Sequence, residues 1–338
     1  MTFQIKTTTG SYPIYLERGA LQKAGQLLSL QRKCMIVTDQ NIPAAYIDTL
    51  AQQCAEPVVF TLVPGEGSKS LASFSDILSV MLEHHFSRTD CVVALGGGVV
   101  GDLAGFVASA YLRGVDFYNI PTTVLSQVDS SIGGKVAVNF QGLKNMVGAF
   151  YPPKAVLIDP KTLSSLPRRQ IANGLAESIK MAMTFDETFF ALFEKADPME
   201  NLDKIIELSL LAKQRVVEAD EREQGLRKVL NFGHTLAHAI ESESLNGADP
   251  LYHGECVALG MIPMCSDAVK QRLIPVLERA GLPTRYKGSP ERWVEAVSHD
   301  KKVGGDTITV VRVNAVGSFV MEKISLSRFA EEIRGGIK

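Results

Sequence analysis

The chain has 338 residues, 46% hydrophobic and 21% charged, which is enough for two packed domains of ordinary globular composition. Its formal net charge of −2 excludes the global basic field of a nucleic-acid binder, so local basic residues must be read one by one. Five scattered cysteines (Cys34, Cys54, Cys91, Cys256, Cys265) without a CxxC pair exclude a disulfide framework and fit a reducing compartment.

The first 21 residues alternate like a strand and lack the basic-then-apolar pattern of a signal peptide. No apolar run approaches the ~20 residues that span a bilayer, so a cytoplasmic protein with no membrane partner is expected. "KCMIVTD" (33–39) is a short apolar strand with a polar tip, and 42–54 looks helical. "PVVFTLVPG" (57–65) is a second strand. An amphipathic helix follows over 70–85, with Leu71, Phe74, Ile77, Leu78 and Met81 at helical spacing. "CVVALGGG" (91–98) is a strand that runs into glycines, and 115–123 and 155–160 add two more. Continuous apolar strands alternating with helices predict a mainly parallel sheet covered on both faces. After about residue 160 nearly everything reads as helix: 166–184, 187–195, 201–219, 231–243, 254–272 and 274–280. Two short strands (306–313 and 318–324) and a helix (325–334) close the chain. The expected organisation is an α/β domain over 1–160 and a mostly α-helical domain over 161–338, with the functional cleft between them.

The stretch "VVALGGGVVGDLAGF" leaves a buried strand and opens a helix. Gly96, Gly98 and Gly101 match G-x-G-x-x-G, which lets backbone approach a pyrophosphate and aims a helix N-terminus at it. The plainer reading is a tight strand-to-helix turn. No clear acidic residue ends the next strand, since Asp116 starts it, so the fit to a dinucleotide fingerprint is incomplete. Two further polar tips sit at carboxyl ends of strands: "TDQN" with Asp39 and Asn41, and "VPGEGSKS" with Glu66 and Lys69. Asp39, Asn41 and Glu66 suit ribose hydroxyls, and Lys69 suits a phosphate. The segment 121–150 is polar and glycine-broken, and is expected to be a functional loop. It holds Thr122, Thr123, Asp129, Ser130, Ser131, Lys135, Lys144 and Asn145, groups suited to phosphate or carboxylate oxygens.

Three of the six histidines crowd into "NFGHTLAHAIE" (231–241) and "YHGEC" (252–256). As a helix, 231–241 would put Asn231, His234 and His238 on one face. A lone helical histidine is more often a core residue, but two at i, i+4 with His253 nearby suggest a metal. Catalytic zinc takes three protein ligands, and Glu177, Glu241 and Glu255 are the candidate carboxylates. Glu177 and Lys180 share one helical face in "NGLAESIK". Glu241 and Glu255 also fit as outer partners of a ligand or as helix caps. Cys256 reads as a small apolar helix residue. Lys135, Lys144, Lys180, Lys213, Arg227 and Lys301 or Lys302 make an excess of cations.

In order, "GGGVVGDLAGFVASAYLRGVDFYNIPTTVLSQVDSSIGGKVAVNFQGLKNMVGAFYPP", "LPRRQIANGLAESIK", "GLRKVLNFGHTLAHAIE", "HGECVALGM" and "HDKKV" resemble the motifs of the 3-dehydroquinate synthases, within the sugar phosphate cyclase superfamily. The likeness runs over almost the whole chain. It implies a dehydroquinate synthase-like fold: an NAD-binding α/β domain and a helical metal- and substrate-binding domain. It also implies a cytoplasmic homodimer in the shikimate pathway of aromatic amino acid biosynthesis. The implied reaction turns 3-deoxy-D-arabino-heptulosonate 7-phosphate, a sugar phosphate, into 3-dehydroquinate and phosphate. NAD oxidises the C5 carbinol, phosphate leaves by β-elimination, the hydride returns, and an intramolecular aldol step closes the ring.

The same resemblance implies residue roles. Metal ligands fall on Glu177, His234 and His253, for zinc or alternatively cobalt. NAD contacts fall on Asp39, Asn41, Glu66, Lys69, Gly97, Gly98, Asp102, Thr122, Thr123, Lys144 and the turn with Thr162, Ser165 and Leu166. Gly101 belongs with them as the last glycine of the strand-to-helix pattern, and Lys135 is counted for cofactor and substrate alike. Catalytic and substrate contacts fall on Asp129, Lys135, Asn145, Lys180, Lys213, Arg227, Asn231 and His238, with Arg113 offered across a dimer interface. Ala237 stands where the family usually has Gly, and Gln170 where Glu is common. A cyclase of the 2-deoxy-scyllo-inosose synthase type and a metal-dependent polyol dehydrogenase of the glycerol dehydrogenase type are the alternatives. Arg227 with Lys213 favours a substrate carboxylate.

Overall fold

The N-terminal alternation folds as a strand pair: Phe3 and Ile5 of β1 (Thr2–Thr7) point inward, and β1 runs antiparallel to β2 (Gly10–Leu16). The computed structural model describes residues 1–8, 10–245, 247–300 and 307–336, and divides into two units, Met1–Pro167 and Arg168–Lys338. No helix among the described residues is long and apolar enough to cross a membrane.

In the first unit a short turn, α1 (Ala24–Leu27), precedes β3 (Lys33–Asp39), α2 (Ala44–Ala51), β4 (Glu56–Leu62) and α3 (Leu71–Glu83). Then come β5 (Cys91–Gly96), α4 (Gly98–Ala110), β6 (Asp116–Pro121), β7 (Lys135–Phe140), β8 (Leu143–Phe150) and β9 (Ala155–Ile158). Among the described residues a seven-stranded sheet runs β1-β2-β9-β6-β5-β3-β4, parallel at every pairing except β1–β2. Its central strands are buried on both sides, as their unbroken apolar sequences require. Met35, Val37, Val92 and Ala94 pack on one face with Leu103 and Val107 of α4. Cys34, Ile36, Cys91 and Val93 pack on the other with Leu50 of α2. Ser70 caps α3 by accepting from the N–H of Ser73 at 3.2 Å. Of the helix's apolar stripe, Ile77 and Met81 are buried, while Leu71 at the open end is exposed.

The segment 121–150 is corrected from a loop to ordered structure. A wide helical turn spans Ser126–Ser130, and β7 and β8 form a hairpin. Gln141 and Gly142 join its strands at φ 49° and 79°, the two left-handed residues that match strand twist. Its polar sequence reflects β8, which is largely solvent-facing.

The second unit comprises α5 (Arg168–Phe185), α6 (Glu187–Lys195), α7 (Leu202–Ala219), α8 (His234–Ser244) and α9 (His253–Met261). α10 (Asp267–Arg279), α11 (Pro290–Asp300), β10 (Thr307–Arg312), β11 (Val320–Ser325) and α12 (Leu326–Gly336) follow, with β10 and β11 antiparallel. α5 is buried from Ile171 to Thr184 and is the central helix of the unit. Two boundaries differ from the periodicity. The span 254–272 is not one helix. It breaks around Pro263, whose missing N–H suits the short turn Ile262–Met264, and Cys265 is extended. Pro275, by contrast, stays inside α10. The helix expected from 231 begins at His234, because Gly233 takes a left-handed N-cap conformation at φ 79°. Asn231 therefore lies in the preceding turn, Leu226–Asn231, not on the helix face with the histidines.

Candidate functional site

In the first unit the chain runs from β3 outward to β4, then returns to place β5 on the other side of β3. This reversal opens a crevice at the carboxyl ends of β3 and β5, where open α/β sheets bind ligands. Asp39 ends β3 and accepts the backbone N–H of Asn41 at 2.8 Å, while burial raises its pKa. At the end of β5, α4 starts at Gly98 with its first N–H groups free of helical partners. A Cβ at Gly97 would press on the Thr123 side chain at 3.1 Å, and one at Gly98 on the Ser130 hydroxyl at 3.2 Å. Close packing thus favours glycine at both positions.

A polar network joins the neighbouring elements. The Lys69 amine is 5% exposed; it meets Asp102 on α4 at 2.5 Å and also donates to Asn145 on β8. The Asn139 side chain of β7 donates through its amide N–H to Glu66 at 2.8 Å, and its Oδ1 accepts the backbone N–H of Asn145 at 2.9 Å. The structure therefore brings Glu66, Lys69, Asp102 and Asn145 together, and adds Asn139, which sequence reasoning missed. Asn145 holds its place at φ 58°. Thr123 and Ser126 cap each other's turn, with their hydroxyls 2.7 Å apart. Thr162 donates to the carbonyl of Asp159 at 2.7 Å, Ser165 to that of Thr162 at 3.1 Å, and the Leu166 N–H to that of Leu163 at 3.0 Å. Thr122 and Ser131 have buried hydroxyl oxygens with no hydrogen-bond partner among the described residues. Asp102, Asn119, Ser131 and Lys135 line one small polar cavity, whose wall also includes Gly101. Lys144 lies on exposed β8, and Asp129 in the wide turn. Arg113 sits apart, in a turn at φ 68° after Leu112 at φ 49°.

In the second unit Glu177 of α5, His234 of α8 and His253 of α9 converge, with one ligand atom from each lying within 4.8 Å of the others. Both imidazoles face the same Glu177 oxygen through Nε2, at 3.5 Å for His234 and 3.6 Å for His253. Donors of a tetrahedral zinc stand about 3.3–3.6 Å apart, a spacing that the two distances from the Glu177 oxygen match. Glu177 is wholly buried, and among the described residues neither oxygen has a well-aligned hydrogen bond; the Lys180 amine touches Oε2, while Oε1 faces the two imidazoles, an arrangement that suits a cation between the three side chains.

The electrostatics separate the two histidines. Burial, then the Lys180 charge, pushes His234 down to about 3, so it is neutral and can ligate. Burial would also lower His253, but contacts with Glu177 and Glu241 outweigh it and raise it to about 9. Burial would raise Glu177, yet Lys180 and the two histidines hold it well below the usual carboxylate range. Ligation of a divalent cation requires the neutral form of both imidazoles.

The remaining predicted residues of this unit are held as follows. The His238 ring lies 5.7 Å from that of His234 and 6.2 Å from that of His253, beside the trio but outside it. Lys180, Lys213 and Arg227 are all buried. Arg227 donates to the carbonyl of Glu221 at 2.5 Å, and its turn is tied by Asp220, which accepts the N–H groups of Gln224, Gly225 and Arg227. Asn231 donates to Glu223 at 2.8 Å, a residue no sequence signal marked. Lys301 and Lys302 lie outside the described residues. Cys256 is a buried core residue of α9.

Glu255 is accounted for without a metal. Its oxygens accept from Arg169 at 2.7 and 2.9 Å and from the Tyr252 N–H at 2.7 Å, capping α9. Arg169 also bonds Asp249 at 2.8 Å and stacks over Tyr252 at 4.5 Å. Asn173 accepts the Gly254 N–H at 2.6 Å, and so fixes the start of α9 where His253 stands.

Comparison with known proteins matches residues 59–173 to the family model described as 3-dehydroquinate synthase N-terminal, and 174–303 to 3-dehydroquinate synthase C-terminal. A relative in Desulforamulus reducens named 3-dehydroquinate synthase is 43% identical over 325 residues, covering 89% of this chain and 90% of its own. Among solved structures, a 2-deoxy-scyllo-inosose synthase complexed with carbaglucose-6-phosphate, NAD+ and Co2+ is 24% identical, covers 100% of both chains and has a TM-score of 0.89. A 2-epi-5-epi-valiolone synthase from Streptomyces hygroscopicus with NAD+ and Zn2+ bound is also 24% identical, covers 97% of both chains and has a TM-score of 0.86. At that identity the structures speak for the fold alone.

Proposed function

The chain belongs to the 3-dehydroquinate synthase family, and from that premise we propose that it converts 3-deoxy-D-arabino-heptulosonate 7-phosphate to 3-dehydroquinate and phosphate, as a carbon–oxygen lyase that uses NAD catalytically. This is a step of the shikimate pathway of aromatic amino acid biosynthesis. The observation that carries the site reading is the convergence of Glu177, His234 and His253 beside the buried amine of Lys180. When bound, NAD takes up and returns a hydride at the substrate carbinol, while a divalent cation, zinc in first place and cobalt in second, polarises its hydroxyl oxygens.

The protein's own groups bind, orient and stabilise charge. In the first unit Asp39 and Asn41 receive ribose hydroxyls. Gly97, Gly98 and Gly101 with the α4 N-terminus receive the pyrophosphate. Glu66, Lys69, Asp102, Thr122, Thr123, Lys144 and the Thr162, Ser165 and Leu166 turn complete the NAD contacts, and Lys135 serves cofactor and substrate. Asp129, Lys135 and Asn145 hold substrate oxygens. In the second unit the buried cationic side chains of Lys180, Lys213 and Arg227 suit the phosphate and carboxylate of one substrate. Asn231 and His238 fix the substrate's polar groups by hydrogen bonds, so positioning and charge stabilisation supply most of the catalysis. Arg113 serves the neighbouring subunit of a homodimer. Support comes from the exposed apolar residues Leu112, on its turn, and Phe150, on the hairpin end that Tyr151 ties to that turn by donating to Val115. The absence of a spanning helix among the described residues and the five free thiols are consistent with a cytoplasmic site of action.

The test follows phosphate and reduced cofactor together. With the heptulosonate phosphate and NAD at a small fraction of its concentration, phosphate is expected to be released to completion with no net NADH. NADH rising in step with product would instead identify a polyol dehydrogenase. Faster phosphate release from glucose 6-phosphate would identify a cyclase of the 2-deoxy-scyllo-inosose type.

A further inference from the structure

The two imidazoles that face Glu177 do so through the same atom, yet their other nitrogens meet different acceptors. Nδ1 of His234 lies 3.2 Å from the backbone carbonyl of Phe232. Nδ1 of His253 lies 3.6 Å from Oε2 of Glu241, a carboxylate only 12% exposed. We propose that Glu241 is a positioning residue for His253: it accepts the Nδ1 proton and so fixes the tautomer whose Nε2 lone pair faces Glu177. This rests on the metal reading given above.

Two observations and one chemical argument support the assignment. His234, His238 and Glu241 stand at i, i+4 and i+7 of α8, so one helical stripe supplies a ligand and steers a second ligand on α9. The competing carboxylate, Glu255, is already saturated by Arg169 and the Tyr252 N–H. The third is chemical. A cation at Nε2 would acidify the Nδ1 proton, and the Glu241 carboxylate, 3.6 Å away, is the anion placed to accept it. An anionic acceptor also makes the imidazole a better donor than a neutral carbonyl does. His253 is then the stronger donor of the two, with His234 held by the milder partner.

The experiment uses the full-length protein, stripped of metal and titrated with Co2+ against a chromophoric chelator. Glu241→Ala is expected to weaken Co2+ binding about 10- to 100-fold, and Glu241→Gln less, because its amide oxygen still accepts the proton. The melting temperature of metal-free E241Q should match the parent, while its gain on adding Co2+ shrinks. Should E241A not fold, E241Q carries both comparisons. In histidine 15N spectra of the Zn2+-loaded parent, His253 should be the Nδ1-protonated form. Parent-like Co2+ affinity in both Glu241 variants, with His253→Ala losing the metal, would overturn this inference and leave the metal site standing. Parent-like affinity in H253A would overturn the metal reading itself. A lower metal-free melting temperature with unchanged Co2+ affinity would reduce Glu241 to a structural role.

Discussion

Glu177→Gln is expected to leave a folded protein that retains no stoichiometric metal and turns over at least about a thousandfold more slowly, a loss of ~4 kcal/mol at 1.36 kcal/mol per decade. The side chains are nearly the same size, so the effect is one of charge. The carboxylate is the one negative group in the trio, and it lies within 3.6 Å of both Nε2 atoms. The substitution also strands the Lys180 amine, 2% exposed, beside a neutral amide. Removing one member of a buried pair costs about 3 kcal/mol, which should lower the melting temperature by roughly 6–12 °C. Metal analysis, circular dichroism and single-turnover kinetics on one preparation separate the two effects. Metal content and turnover equal to the parent would remove Glu177 from the site.

The second large effect is steric. At Gly254 an added Cβ would fall on the backbone carbonyl oxygen of Asn173, which is part of α5 and cannot rotate away. Relief requires moving the α9 N-terminus and stretching the 2.6 Å bond from the Gly254 N–H to the Asn173 side chain. Gly254→Ala is therefore expected to cost about 3 kcal/mol. Because His253 is the adjacent residue, metal affinity should fall too. Gly67→Ala is the matched control: no atom lies within 4 Å of its added methyl, and its effect should stay within about 0.5 kcal/mol. A Gly254→Ala protein that melts like the parent would show that α5 and α9 are not in the contact described.

How much of this was legible in the chain depends on the range of the interaction. The central strands were readable because burial on both faces demands unbroken apolar runs; 33–39 is matched residue for residue by β3. The α/β unit and the helical unit follow the same way, as does the family's motif order. Helix ends were less readable. Gly233 in its left-handed conformation moves the start of α8 past Asn231, and two prolines act oppositely, Pro263 ending a helix and Pro275 riding inside one. The hairpin over 135–150 was hidden because an exposed strand carries the polar composition of a loop. Within the site, the i, i+4 histidines were visible, but their spacing alone left Glu177, Glu241 and Glu255 open, and only the family resemblance pointed to Glu177. That choice is set by which carboxylate is already engaged, and Arg169, 86 residues from Glu255, engages it. Asn139 and Glu223 act through single long-range hydrogen bonds that leave no periodic trace.

The measurement that bears most directly on the central claim is anomalous diffraction at the metal edge from crystals grown with one equivalent of Zn2+ or Co2+. The account predicts a single strong peak about 2.0–2.2 Å from a Glu177 oxygen and from Nε2 of both His234 and His253. A stoichiometric metal held by other side chains, with these three turned away from it, would contradict it.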